Sequence, residues 1–162
     1  MNDLTKLPKT TYRVRFQDCD PFGHLNNARF LDYFLNARED HLLQFYGLSL
    51  DEHFKNTKKS WLSITNQLSY FRPVMVSEMI CIQSRLIRMD NRSATVEVSM
   101  FDESQSVLKA VCWMRVMYVD TLTGKAAQHD ESLMELFTSV LNPIGQNTFE
   151  ERNAFLLKGG KD

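Results

Sequence analysis

The sequence predicts an α+β protein in which one antiparallel sheet wraps around a single long helix. Three observations carry this. The apolar period changes near Asn26 to the helical one and holds as far as Phe45. After residue 58, four segments rich in β-branched and aromatic side chains follow one another, two of them in clear alternation. The breaks between those segments are short and polar, with no room for a crossover helix, so the four are expected to form an antiparallel meander.

In chain order, residues 10–17 (Thr-Thr-Tyr-Arg-Val-Arg-Phe-Gln) alternate and read as the first strand. A loop from Asp18 to Leu25 follows, punctuated by Pro21 and Gly23. From about Asn26 to Phe45, Phe30, Leu31, Phe34, Leu35, Leu42 and Phe45 share a stripe, with Arg29, Asp32, Asn36, Glu39 and Asp40 opposite. That is an amphipathic helix of about five turns. The short amide of Asn26 or Asn27 suits its N-cap, and Gly47 suits its end. A brief segment, Ser49-Leu50-Asp51-Glu52, matches a capping box. Strands are expected at about 59–72, 78–89, 93–103 and 106–119, broken at Arg72-Pro73, at Met89 to Arg92 and at Asp102 to Gln105. In the last two, Ala94, Val96, Val98 and Met100 share one face, as do Leu108, Ala110, Cys112, Met114, Val116 and Tyr118. Thr123-Gly124-Lys125 makes a turn, and a second amphipathic helix spans about 131–141, opened by Ser132-x-x-Glu135 and stopped before Pro143. The final residues are mixed and read as partly mobile.

The chain of 162 residues suffices for one domain with a real core. Nineteen Lys and Arg against 20 Asp and Glu leave a net charge of −1, so no global basic field points to nucleic acid or an anionic membrane. Cys19, Cys81 and Cys112 are odd in number and widely spaced. They form neither a disulfide framework nor a zinc ribbon and suggest a reducing compartment. Met1–Lys9 lacks the apolar run of a secretory signal, and no stretch approaches the roughly 18 apolar residues of a membrane span. A cytoplasmic protein is the expectation.

The loop before the long helix concentrates the chemistry. Two acids, a Pro, a Gly and a His occupy Asp18 to His24, just ahead of a helix start. A helix N-terminus offers unpaired N–H groups and a partial positive charge, suited to a developing oxyanion. A carboxylate beside it can attack a polarised carbonyl or deprotonate water. Gly23 would let a ligand approach the backbone. The plain alternative is a pair of solvated loop acids with a surface His24. An EF-hand reading fails, because its fifth and twelfth positions would be Phe22 and Arg29. A zinc site on Cys19 and His24 lacks two ligands, and Cys19 between two acids has its thiolate disfavoured. No metal is expected.

Val14-Arg15-Phe16-Gln17-Asp18-Cys19-Asp20-Pro21-Phe22-Gly23-His24-Leu25-Asn26-Asn27-Ala28-Arg29-Phe30, continuing to Tyr33, Phe34 and Arg38, resembles the signature of the 4-hydroxybenzoyl-CoA thioesterase family. Tyr70-Phe71-Arg72-Pro73, and Val119-Asp120 before Thr123-Gly124-Lys125, echo it downstream. The resemblance covers roughly residues 11–128. It implies a hotdog fold over 1–128, with 129–162 a helical extension packed on or trailing from the same domain. It also implies an acyl-CoA thioesterase. Asp20 would be the catalytic carboxylate, as nucleophile or general base. The backbone N–H of Asn27 would serve the thioester oxygen, Gly23 and His24 would shape the pocket, and Asp18 would fix the loop. The CoA phosphates would fall near Arg85, Arg88 and Arg92, although Asp90 and Asn91 stand where relatives are more basic, and Ser77-Glu78 replaces a common Gly-Asp. Phe22, Phe30, Phe34 and Trp61 suggest a bulky apolar or aryl pocket, or core. No cofactor is expected, CoA being part of the substrate. An exposed sheet edge and the family's habit imply a homodimer, or a tetramer built from dimers. A hotdog hydratase or dehydratase, or a non-catalytic acyl-CoA-binding module, are the competing functions.

Overall fold

The computed structural model describes residues 3–162, so the first two residues of the stretch Met1–Lys9 lie outside the described residues. The chain runs through β1 (Lys9–Arg13), α1 (Phe30–Tyr46), α2 (Leu50–Thr57), β2 (Lys59–Tyr70), β3 (Met79–Met89), β4 (Ser93–Asp102), β5 (Leu108–Asp120), the short β6 (Lys125–Ala126), α3 (Glu131–Val140) and α4 (Phe149–Leu157). The pairings are all antiparallel, in the order β1-β3-β4-β5-β2, with β6 on β5.

The expected meander therefore holds only from β3 to β5. β2 lies at the far edge beside β5, not beside β3. Pro73 has no N–H for a ladder, so no hairpin forms after Tyr70. Residues 74–76 pair instead with the loop ahead of α1: Leu25 N–H donates to Val74 O at 2.7 Å, and His24 bridges Met75. The chain thus crosses to the other side of the sheet before β3 begins. The first strand is also shorter than expected, because Phe16–Asp18 turn as a 3-10 helix toward that loop.

α1 packs on β1, β3 and β4. Its buried face is Phe30, Tyr33, Phe34, Ala37, His41 and Leu42, a stripe rotated from the one predicted, which leaves Leu35 44% exposed. Ala37 lets the helix sit close to the sheet, and His41 is tolerated inside because both ring nitrogens are hydrogen-bonded, Nε2 to Thr10 Oγ1 at 3.0 Å and Nδ1 to Ser84 Oγ at 2.7 Å. Gly47 ends α1 in the left-handed conformation at φ 66°, as expected. The segment after it, read as a brief capping-box match, is the helix α2, whose Ser49 hydroxyl accepts from Glu52 N–H.

The alternation read in β4 and β5 is observed. Ala94, Val96, Val98, Met100, Ala110, Cys112 and Met114 all face the α1 side of the core. The opposite face is buried as well, by Ile87, Val111, Trp113 and Phe149. α4 explains this. Its residues read as mixed, yet a full Thr148–Glu151 capping box starts the helix. Arg152 then reaches through to Glu97, pairing at 2.6 Å with both side chains nearly fully buried. Among the described residues no helix is long and apolar enough to cross a membrane.

Candidate active site

The loop before α1 folds back on itself. Asp20 N–H donates to His24 O at 2.8 Å, and Gly23 N–H to Asp20 O at 3.0 Å. Asp20 Oδ1 accepts from the N–H groups of Phe22 at 2.9 Å and His24 at 3.0 Å, an Asx-type turn that fixes its carboxylate. Oδ2 has no partner among the described residues. Gly23 allows the turn because φ there is 76°, a region that side chains with a Cβ avoid. Asp18 has a different role: its carboxylate accepts from the Tyr33 hydroxyl at 2.7 Å, and that hydroxyl accepts from Arg15 N–H at 3.0 Å. Burial and Asp18 push the Tyr33 pKa up to about 12, so the tie persists at neutral pH. Cys19 is pushed up by burial and then by Asp18 and Asp20, which keeps it a thiol.

The start of α1 is a 3-10 turn, Asn27–Arg29, capped by the Asn26 side chain, which accepts from Ala28 N–H at 3.0 Å. Arg29 N–H donates to Asn26 O, while Asn27 N–H has no partner among the described residues. Asp20, His24, Asn27 and Phe30 line one open cleft of about 520 Å³, with Tyr70, Phe71, Arg72 and Pro73 on its other wall. A carboxylate with one oxygen unpartnered and a helix-start residue with its amide unpartnered, both lining one cleft, can bind a carbonyl and bring a nucleophile or a base to it. His24 lines the cleft, and its imidazole has no hydrogen bond among the described residues.

Other predicted residues lie elsewhere. Phe22 is 82% exposed at the loop tip, whereas Phe30 is buried edge-on to Tyr70, ring centroids 4.9 Å apart. Phe34 is core. Arg88 and Arg92 sit at the far end of β3 and in the turn after it, about 30 Å from the loop at roughly 3.3 Å per strand residue. The Arg88 guanidinium lies 4.8 Å over Trp113 and donates to the carbonyls of Gln146 and Asn147, holding the approach to α4. Arg85 pairs with Asp162 at 2.7 Å. Arg92 is exposed, and its side chain has no partner among the described residues.

Tyr70 is a site residue that the sequence reading did not assign. Its hydroxyl donates to Asn27 O at 2.9 Å, steadying the helix start across 43 residues of chain. The tetrapeptide Tyr70-Phe71-Arg72-Pro73 was the available signal, since a Pro-terminated strand end must place its last side chains somewhere specific.

A family model described as the thioesterase-like superfamily matches residues 14–137. The long-chain acyl-CoA thioesterase FadM of Escherichia coli (strain K12) is 25% identical over 135 residues, 78% of this chain and 94% of that protein. Among solved structures, a hypothetical protein from Staphylococcus aureus in complex with CoA superposes with a TM-score of 0.79 at 15% identity, covering 93% of each chain. A probable thioesterase, YbaW, from Escherichia coli superposes at 0.70 with 22% identity, covering 83% of this chain and 98% of that one. The expected hotdog architecture, a curled antiparallel sheet with a long central helix, is the fold these structures share with it.

Proposed function

The chain belongs to the thioesterase-like superfamily, and on that premise we propose that this thioester hydrolase cleaves acyl-CoA to the free acid and CoA. One observation carries the reading: Asp20 and Asn27 line the same cleft, and Asp20 Oδ2 and Asn27 N–H have no partner among the described residues. The name of the 25% identical relative supports an acyl-CoA substrate.

The thioester carbonyl accepts from Asn27 N–H, where the helix-start dipole stabilises the developing oxyanion. Asp20 then acts through Oδ2. As a nucleophile it bonds to the carbonyl carbon, the C–S bond breaks, CoA leaves as its thiolate, and water cleaves the resulting anhydride. As a general base it takes a proton from water, whose oxygen bonds to that carbon while the same thiolate leaves. Gly23 keeps the loop open, and His24 closes one side of the cleft. Asp20→Asn should lower turnover at least about 100-fold with an unchanged melting temperature, because the swap is isosteric and the Oδ1 bonds survive. Wild-type turnover would end the assignment. Label found in Asp20 after a single turnover in ¹⁸O-water establishes the nucleophilic route with water attacking the Asp20 carboxyl carbon, because the general-base route never labels it.

Assembly is part of the reading. β2 is a sheet edge whose Leu62 and Ile64 are 55% and 48% exposed, a surface fit for a second copy. Two-fold pairing across antiparallel β2 edges would bring the Arg92 end of one protomer toward the Asp20 end of the other. The CoA phosphates then have Arg92 of the second copy within reach, in addition to Arg72 on the cleft wall. Arg92→Ala should raise KM more than it changes kcat, and the difference should fade at high salt. The free cysteines fit a reducing, cytoplasmic setting.

A further inference from the structure

We propose that the preferred acyl chain carries a carboxylate at its far end, and that Arg38 is the specificity residue that receives it. This rests on the acyl-CoA hydrolysis argued above and names the class of chain.

The route is set by what α1 leaves uncovered. α1 packs on β1, β3 and β4, and α2 is the helix that leans on β2. The inner faces of β5 and β2 lie along one flank of α1, with Ala110, Cys112 and Met114 of that face buried. At the helix start that flank holds the cleft of Asp20, Asn27 and Tyr70, and an acyl chain running from it along α1 has to part the side chains packed between the two spaces. Further along α1 is a cavity of about 160 Å³ between the helix and the sheet, walled by Leu35, Leu42, Trp61, Met114 and Phe137. Asn27, Leu31, Leu35 and Arg38 succeed one another at helical spacing along that flank.

Arg38 is the cation in that apolar wall. Among the described residues its guanidinium donates through Nη1 to Ser84 Oγ at 3.2 Å, has the Tyr46 hydroxyl beside it, and makes no ion pair. Burial lowers its pKa, and only the Tyr46 hydroxyl works the other way. The nearby acids are committed or turned outward. Asp40 accepts from the Tyr12 hydroxyl, and Asp32 pairs with Arg29. Glu39 borders the same cavity from the exposed flank without pairing to Arg38. His41, which shares Ser84 with Arg38, is held neutral by burial and by the Arg38 charge. A half-buried guanidinium without a counter-ion is costly, and an incoming carboxylate matches its fork of donors. A methyl-ended chain reaching the same place would strip water from Arg38 and return nothing.

Eleven residues of helix from Asn27 to Arg38 span about 16 Å, shortened somewhat because helical side chains lean toward the N-terminus. With C–C bonds of about 1.5 Å in zigzag, that is a chain of roughly ten to twelve carbons.

The test compares kcat/KM for dodecanoyl-CoA, its ω-carboxy counterpart and hexanoyl-CoA, in wild type, Arg38→Lys and Arg38→Met. Wild type should favour the carboxy-ended chain over the methyl-ended one by about tenfold or more. Arg38→Met should abolish or invert that preference, Arg38→Lys should keep part of it, and hexanoyl-CoA, too short to reach, should be cleaved alike by all three. Equal or better wild-type activity on dodecanoyl-CoA overturns the proposal, as does an unchanged preference in Arg38→Met. If Arg38→Met does not fold, calorimetry on wild type decides: dodecanedioate must bind more tightly than dodecanoate, and the difference must shrink in salt. Failure to cleave any of the three CoA esters sinks the acyl-CoA reading itself; cleavage without end-group preference sinks only the role of Arg38.

Discussion

Gly23 shows how the site depends on one backbone angle. A Cβ there would meet only Val76 Cγ1, at an ordinary 3.7 Å, so space is not what demands glycine. The φ of 76° does, and it lets both Phe22 and His24 aim their N–H groups at Asp20. Gly23→Ala should cost about 1–2 kcal/mol, a few degrees in melting temperature for a chain of this size. Its kcat should fall well beyond what that loss implies, because the strain relaxes by moving Asp20. Equal kcat in a folded variant would show that Asp20 tolerates a looser loop. Tyr70→Phe tests the opposite wall: losing the bond to Asn27 O should lower kcat several-fold and leave the aromatic contact with Phe30 in place.

Two elements are held by polar groups inside the protein. α1 is tied to β1 and β3 through His41, whose pKa is lowered to about 4 by burial first and then by Arg38. A pKa depressed on folding means that the unfolded chain binds the proton more tightly. The stability this histidine allows is complete above its ordinary 6.5 and is lost as pH falls from there toward 4. His53 and His129, lowered mainly by burial, act with the same sign. Denaturant midpoints should therefore decline between pH 7 and pH 4.5, and His41→Gln should flatten part of that slope; an identical slope would place the titration elsewhere. α4 is held by Arg152 on Glu97 and Asp162, whose hydrogen bonds outweigh burial and raise the guanidinium pKa. Arg152→Met leaves Glu97 buried and uncompensated and should cost about 3–5 kcal/mol. Adding Glu97→Gln should recover part of that, with the Trp113 contact to Glu97 as the remaining loss.

For the whole molecule, the sheet has one edge at β1 and the other at β2, and β2 carries the exposed Leu62 and Ile64. Sedimentation at micromolar concentration should give a mass of two chains or a multiple of two. Ile64, at the bulge where the β2 register shifts between Ser63 and Thr65, is the residue to change. Ile64→Lys should weaken the assembly and lower activity together, since the proposed phosphate contacts cross between protomers. A monomeric wild type would remove the β2 edge as an interface.

What the sequence determined by itself was local. Asp20, Gly23, His24, Asn27 and Phe30 lie within eleven residues, so a turn and a helix start bring most of them to one wall of the cleft, which residues 70–76 then complete and brace. The alternation of β4 and β5 was likewise readable, because a period of two is imposed by the pleat. Tertiary structure decided whatever depends on distant partners. It put β2 beside β5, since residues 74–76 pair with the loop ahead of α1 and carry the chain away from a hairpin. It turned α1 so that His41 faces inward, because Thr10 and Ser84 supply its hydrogen bonds. It also sent Arg88 to the carbonyls near α4, and set Arg92 at the opposite end of the sheet from Asp20. Spacing along a chain states which side chains share a face, but only the packed sheet states which end of a strand meets which end of another.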